Sequence, residues 1–306
     1  CTFCVVPFTR GPEVSLSSTQ IKEQAEEFIH SGAKEIFLLG QNVNSYGLDL
    51  VEKGIVKASE DGPFVDLLRS ISEIKGLESL RFTTSNPHDL TKPLADLFKE
   101  KEVLGRYFHL PVQSGSDKIL KAMRRKVTVA EYLTRVNWLR QAVPNIAIST
   151  DLIVGFPGET EAHFQHLLQF VQEQRFDHVG VFCFSPEDGT PAAELPNPVP
   201  AEVAEERRGR LMEAQQAISA ERNAAWVGRI VDVLVEQENP SNGELIGRCL
   251  RFAPDVDGEV RISPGAHGAA AAAGTMVPVR ITDSDVYDLQ GEVVGIDAMV
   301  DAARHL

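Results

Sequence analysis

The chain has 306 residues, of which 43% are hydrophobic, and a formal net charge of −14. A chain of this length can form one large and one small domain. It has no long uncharged stretch that could span a membrane and no basic-then-apolar start of the kind that marks a secretory signal. Its four cysteines, two of them isolated, do not form a secreted disulfide framework, so we expect a reducing cytoplasmic compartment and no membrane partner.

Helix and strand patterns alternate from residue 17 to about residue 184. An apolar helical stripe over 21–29 precedes a strand over 35–40. Four further helix and strand pairs are predicted at 64–74 and 77–83, 90–98 and 107–112, 129–143 and 146–154, and 164–174 and 178–184. This order predicts an α/β fold whose parallel sheet curls into an open, partial TIM-type barrel, with a sixth strand expected before Cys1.

The pattern changes after a proline-rich segment at 186–200. A long charged helix is predicted over 202–226. Short strands follow, at 230–236, 244–250, 258–262, 276–281 and 289–296. Such strands, separated by turns, are typical of a small oligonucleotide-binding-type barrel. We therefore predict three parts: a partial barrel over 1–200, a linker helix over 201–226 and an all-β domain over 227–306.

The chain begins with Cys1-Thr2-Phe3-Cys4, followed at once by VVPFTRG. A Cys-x-x-Cys pair alone fits half a zinc site, a thioredoxin-like redox pair or an iron–sulfur loop. The pair therefore needs context from the rest of the sequence.

That context comes from polar strings at predicted strand ends, where parallel barrels place their sites. They are GQNVNSYG at 40–47, HLPVQSGS at 109–116 and DLIVGFPGET at 151–160. Ordinary turns, glycines with positive φ and helix caps, among them Ser116 and Glu159, would also explain them. The basic string MRRK at 123–126 fits either a solvated helix end or a guanidinium fork for a ligand carboxylate.

In this order, and over nearly the whole chain, these strings resemble the radical S-adenosylmethionine methylthiotransferases of the MiaB/RimO type. The cluster loop of that family is Cys-x-x-x-Cys-x-x-Cys, and Cys1 and Cys4 match its second and third cysteines. The resemblance implies that both are metal ligands of a 4Fe-4S cluster whose third cysteine lies upstream. It also implies that the chain is a fragment lacking the family's amino-terminal domain, where a second 4Fe-4S cluster is expected. The all-β domain corresponds to the family's TRAM domain.

The same resemblance implies a binding site for S-adenosylmethionine at the strand ends. Its expected cofactor-binding residues are Gln41, Asn44, Gln113, Ser114, Arg125, Asp151, Gly155 and Gly158. The implied reaction uses an electron donor to cleave S-adenosylmethionine to a 5′-deoxyadenosyl radical, which abstracts hydrogen from an unactivated C–H so that a methylthio group can be attached. The resemblance assigns no further catalytic residue.

Two substrates remain open. The strings at 40–47 and 109–116 resemble the branch that modifies isopentenyladenosine beside the transfer-RNA anticodon. Later strings, among them those at 179–182 and 253–258, resemble the branch that modifies an aspartate of ribosomal protein S-twelve. Residues 227–306 carry thirteen acidic side chains, six arginines and no lysine. Because an RNA-binding barrel should be basic, this charge favours the protein substrate. A non-enzymatic alternative is a truncated, inactive binding fragment.

Overall fold

The computed structural model describes residues 1–57, 59–254, 256–263 and 272–295. The chain divides into two compact units, Cys1–Gln215 and Gln216–Leu306. The division falls inside one long helix, Ala201–Ala224. The predicted domain boundaries at 200 and 226 lie on either side of it and stay predictions. No helix within the described ranges is long and apolar enough to cross a bilayer.

Helices and parallel strands alternate in the first unit. Its helices are α1 (Val6–Arg10), α2 (Ser18–His30), α3 (Leu48–Glu52), α4 (Pro63–Ser72), α5 (Lys92–Glu100), α6 (Asp117–Ala122), α7 (Val129–Ala142) and α8 (Glu161–Gln174), and α9 (Ala201–Ala224) follows. Its strands are β1 (Glu35–Leu38), β2 (Ser79–Phe82), β3 (Tyr107–His109), β4 (Ala147–Val154) and β5 (His178–Cys183). All five predicted strands are present. β3 is shorter than predicted, because Pro111 has no N–H to donate and Gln113 turns the chain with a φ of 78°.

The strands form two parallel sheets that meet at β2. β1 pairs with β2, and β3, β4 and β5 form the second sheet in that order. An isolated parallel bridge links Leu80 of β2 to Leu104, in the segment before β3, and the Phe82 and Phe108 rings pack edge to face at 5.4 Å. The prediction of an open, partial α/β barrel is thus confirmed, with hydrogen bonding interrupted between β2 and β3.

One face of the second sheet is covered by helices. Phe108, on β3, is buried against Phe98 of α5, and the hydroxyl of Tyr132 on α7 donates to the Leu110 carbonyl over 2.9 Å. Because side chains alternate along a strand, their neighbours point the other way. We call that side the inner face; its residues are Tyr107, His109, Ser149, Asp151, His178 and Gly180.

The second unit contains a closed five-stranded barrel. Its strands are β6 (Ile230–Glu238), β7 (Leu245–Cys249), β8 (Val260–Ser263), β9 (Met276–Ser284) and β10 (Leu289–Val293), paired in the order β10-β8-β7-β6-β9. Inward apolar side chains such as Val233, Val279 and Ile281 are fully buried. The predicted small β-barrel is confirmed; the end of its last predicted strand, residue 296, lies outside the described residues.

Candidate functional site

The cysteine loop is held in place by its second residue. The backbone N–H of Thr2 donates to the Met123 carbonyl, and its hydroxyl donates to the Ala122 carbonyl, each over 3.0 Å. The N–H of Ala192 in turn donates to the Thr2 carbonyl over 3.0 Å. Cys1 is exposed and Cys4 partly buried. The loop therefore presents both sulfur atoms from a backbone fixed to the end of α6.

Arg125 lies between Cys1 and the end of β3. Its Nη1 donates to Cys1 Sγ over 3.5 Å, and its Nη2 donates to the Pro111 carbonyl over 2.7 Å. The buried Nε has no partner. Burial lowers the pKa of Arg125, and the nearby charge of Asp89 opposes that change. A guanidinium is expected to remain charged even so, and it favours an anionic sulfur beside it.

The two cysteines fit part of the ligand set of an iron–sulfur cluster, since thiolates hold such clusters and a cation stabilises their negative charge. Cys183 and Cys249 lie elsewhere. Cys183 Sγ donates to Glu205 over 3.2 Å, and Cys249 is buried in the core of the second unit's barrel. Among the described residues, no group of three or more His, Cys, Asp or Glu side chains could hold a metal ion.

The loop after β3 is bonded to β4 through strained backbone. Gln113 has a φ of 78°, which is costly for a residue with a side chain. Its N–H donates to the Asp151 carbonyl and its carbonyl accepts from Ile153, each over 2.9 Å. Ser114 is buried and accepts from the Ser116 N–H over 3.3 Å. Among the described residues the Gln113 side chain has no hydrogen-bond partner, so its amide is available to a ligand.

Asp151 follows on the inner face of β4. Its Oδ2 lies 3.3 Å from His109 Nε2, and its side chain is 32% exposed. The structure thus places Gln113 next to Asp151. Arg125 lies next to Cys1 and donates to the carbonyl of Pro111, which belongs to the same loop as Gln113. Ligand contact by these residues stays a prediction.

The two glycines of the loop after β4 differ, and only the first packs closely against a helix. Gly155 has a φ of 75°, and a Cβ added there would lie 2.5 Å from the Cβ of Ala204 on α9. A side chain at 155 would therefore meet α9, and ligand contact by Gly155 stays a prediction. Gly158 has a φ of 83° and open space around it, and its N–H donates to the Asn197 carbonyl over 2.8 Å.

Glu159 is not a helix cap, contrary to the sequence interpretation. The N-cap of α8 is Thr160, whose side chain accepts from His163 N–H. Glu159 is instead buried and pairs with Arg207 of α9, Nη1 to Oε1, over 2.6 Å. It also accepts from the Gly155 N–H over 3.1 Å. Burial raises the pKa of Glu159, against the opposing effects of Gly155 and Arg207.

Gln41 and Asn44 have different environments. Gln41 is exposed and lines an open groove of about 830 Å³ beside β1. Asn44 is buried, and its amide bonds both backbone groups of Asn86: it donates to the carbonyl over 2.9 Å and accepts from the N–H over 2.7 Å. Asn44 thus joins the loops after β1 and β2, a structural role that the sequence did not reveal.

Sequence reasoning did not identify two features of the site. His109 lies in the string at 109–116 but was given no role. Its place on the inner face follows from the alternation of side chains along β3. The Glu159–Arg207 pair joins residues 48 positions apart, and no local pattern in the sequence indicates it.

Comparison with known families agrees with these features. The family described as the Radical SAM superfamily matches residues 1–171, and the family described as the TRAM domain matches residues 227–294. The first match covers more than half of the chain, so the chain belongs to the radical SAM superfamily. Membership implies a 4Fe-4S cluster and S-adenosylmethionine.

Curated relatives are closer in sequence. "Ribosomal protein uS12 methylthiotransferase RimO" of Synechococcus sp. (strain RCC307) is 56% identical, over 100% of this chain and 61% of that protein. The protein of the same name from Parasynechococcus marenigrum (strain WH8102) is 47% identical, over 99% of this chain and 64% of that protein. The chain thus spans less than two thirds of these relatives' length. The resemblance to MiaB/RimO-type proteins is confirmed.

Solved structures are more distant. The radical S-adenosylmethionine methyltransferase TsrM from Kitasatospora setae has a TM-score of 0.49 at 15% identity, over 63% of this chain and 36% of that chain.

Proposed function

We propose that the chain is part of a radical S-adenosylmethionine methylthiotransferase that modifies ribosomal protein uS12. The observation that carries this proposal is identity of up to 56% along the whole chain to proteins with that name. A ribosomal substrate implies a cytoplasmic compartment. The reductive cleavage of S-adenosylmethionine requires an electron donor. The proposal rests on relatives for the reaction and on the described residues for the site.

Cys1 and Cys4 would hold two irons of the 4Fe-4S cluster, with a third cysteine upstream of this chain and a second cluster in an amino-terminal domain. When bound, the first cluster supplies the electron that cleaves S-adenosylmethionine. The chain's own residues orient that ligand: Gln113 offers an amide that no described residue bonds, and Asp151 offers a partly exposed carboxylate on the inner face. Arg125, held by the Pro111 carbonyl, keeps a positive charge at Cys1.

The charge of the second unit supports a protein substrate. Six arginines lie among its described residues, and the five from Arg229 onward each contact a partner within the unit. Arg229 and Arg251 stack on Trp226 at 5.0 and 4.2 Å, Arg248 pairs with Glu236, Arg261 pairs with Glu259, and Arg280 donates to the Gly228 carbonyl. Guanidiniums already engaged in this way are less available to phosphates.

Carboxylates, in contrast, remain on the surface of this unit. The exposed ones include Glu238, Asp283, Asp285 and Glu292, whereas Asp255 lies outside the described residues. An acidic surface attracts a basic ribosomal protein and repels a phosphate backbone, so it favours uS12 over a transfer-RNA anticodon stem-loop.

A competition experiment tests this function. The protein, extended upstream of Cys1, is reconstituted with iron and sulfide, reduced without oxygen and given S-adenosylmethionine with equal amounts of uS12 and an anticodon stem-loop containing isopentenyladenosine. Mass spectrometry should find a methylthio group on an aspartate of uS12. The Cys4→Ala variant should give no product, and Cys183→Ala should act normally. Modification of the stem-loop alone would contradict the proposal. Cleavage of S-adenosylmethionine by the extended protein but not by the 306-residue chain would favour the inactive-fragment alternative for this chain.

A further inference from the structure

A chain of hydrogen bonds crosses the inner face from β3 to β4. The Tyr107 hydroxyl lies 2.6 Å from Ser149 Oγ, and Ser149 Oγ lies 2.8 Å from His109 Nδ1. The other imidazole nitrogen, Nε2, lies 3.3 Å from Asp151 Oδ2. Four polar side chains, three of them without an assigned role, are thus connected in one line.

Strand register explains why these side chains meet. Tyr107 pairs with Ala147, and His109 pairs with Ser149. Asp151 lies two residues beyond Ser149, and side chains two apart on a strand share a face. The imidazole therefore lies between Ser149, directly opposite, and Asp151, on the diagonal.

The donors and acceptors along this line are determined by its last member. An ionised Asp151 can only accept, so the hydrogen of a neutral His109 lies on Nε2, and Nδ1 is an acceptor. The Ser149 hydroxyl then donates to Nδ1, and the Tyr107 hydroxyl donates to Ser149. All the bonds run in one direction, which fixes a single imidazole tautomer and holds the carboxylate by Oδ2.

The second oxygen of this carboxylate is left open. Among the described residues no group donates a hydrogen bond to Asp151 Oδ1. A Cβ added at Gly180, opposite on β5, would lie 2.7 Å from Oδ1. A side chain at 180 would therefore require this oxygen to move. Since the Asp151 side chain is 32% exposed, Oδ1 is accessible from the inner face.

We propose that His109 is a positioning residue: with Ser149 and Tyr107 it holds Asp151 so that Oδ1 accepts a hydrogen bond from a hydroxyl or ammonium group of the bound ligand. The ligand in question is S-adenosylmethionine, so the inference rests on the proposed function for the identity of the ligand. His109 itself contacts only protein.

Two substitutions of His109 separate positioning from packing. In His109→Gln the side-chain amide nitrogen can reach the place of Nε2 and still donate to Asp151. In His109→Asn the shorter amide reaches Ser149 but not Asp151. We expect S-adenosylmethionine to bind His109→Gln within about threefold of the unaltered protein and His109→Asn about tenfold more weakly, because a lost bond to a charged group costs about that factor. Isothermal titration of the anaerobically reconstituted protein measures both affinities.

Further variants complete the test. Gly180→Ala, which displaces Oδ1, should weaken binding by about tenfold, while His166→Asn, at an exposed position of α8, should leave the affinity unchanged. Circular dichroism and thermal unfolding verify that each variant is folded. Equal affinities for His109→Gln and His109→Asn would overturn the proposal, and so would the absence of S-adenosylmethionine binding by the unaltered protein. Failure to modify uS12 with the predicted affinities intact would contradict only the proposed function.

Discussion

Two loops at the same edge of the sheet differ in what their residues contact. Both the loop after β3, with Gln113, and the loop after β4, with Gly155 and Gly158, resemble ligand-binding strings. In the first, Gln113 lies beside Asp151 on a strained backbone, and its side-chain amide has no hydrogen-bond partner in the part of the chain that the structure describes. In the second, Gly155 and Glu159 are used for packing against α9. Parts of the second string thus have a packing role, whereas ligand binding by either string stays a prediction.

The largest expected effect concerns the loop after β4, which packs against α9. Arg207→Met leaves the carboxylate of Glu159 buried without its partner, which should lower the free energy of unfolding of the first unit by about 3–5 kcal/mol. Urea denaturation followed by Trp138 fluorescence, in a Trp226→Phe background, reports on that unit. Arg208→Met is the matched control, since its pair with Glu205 is exposed and should leave stability unchanged. Equal midpoints for the two variants would contradict the role of α9 in holding this loop.

The loss of unfolding free energy in Arg207→Met should depend on pH. Burial raises the pKa of Glu159 above its ordinary value of 4.5, so the folded state holds the proton more strongly than the unfolded chain does. Stability from this group is therefore lost as the pH rises through the folded pKa. Without Arg207 that pKa rises further. The deficit should be largest near neutral pH and should shrink as the pH falls towards 4.5; a constant deficit would contradict this account.

Gly155→Ala should have the next largest effect. Strain at positive φ and the close approach to Ala204 together should cost about 3 kcal/mol, whereas Gly158→Ala, in open space, should cost only the strain, about 1 kcal/mol. Ala204→Gly in the Gly155→Ala background should recover the steric part, measured by the same urea denaturation. Equal costs at 155 and 158 would show that α9 does not constrain the loop.

Asn44→Ala should destabilise the first unit by about 2 kcal/mol, because both backbone groups of Asn86 lose their partner. Gln41→Ala, three residues earlier and exposed, should leave stability unchanged within about 0.5 kcal/mol. If the sequence prediction of ligand contact is right, Gln41→Ala should instead weaken S-adenosylmethionine binding. Unchanged stability and weaker binding for Asn44→Ala would reverse the assignment of these two residues.

The smallest expected change is a gain in the stability of the first unit. Gln113→Gly relieves the positive φ and should stabilise the first unit by about 1 kcal/mol, while the loss of the amide weakens S-adenosylmethionine binding. A gain in stability together with a loss of affinity would indicate that the backbone strain at residue 113 is maintained for ligand binding. A destabilised Gln113→Gly variant would show that the side chain has a structural role.

The fold could be predicted from the sequence because its signals are local. Alternating apolar positions mark β4, and helical spacing with a Thr128–Glu131 capping box marks α7. The contiguous Cys-x-x-Cys marks a candidate site, but its role as a cluster ligand comes from the resemblance carried by the later strings and stays a prediction. The roles of Asn44, Gly155 and Glu159 could not be, because each depends on a partner far along the chain: Asn86, Ala204 and Arg207.

One paired measurement tests the difference between the two loops most directly: the S-adenosylmethionine affinity and the urea midpoint of Asp151→Ala and Gly155→Ala, determined on the same preparations. Asp151→Ala should bind at least about tenfold more weakly while unfolding within about 1 kcal/mol of the unaltered protein. Gly155→Ala should be the less stable of the two and should retain its affinity while folded. Normal binding by a folded Asp151→Ala, or weak binding by a Gly155→Ala variant of normal stability, would contradict the account.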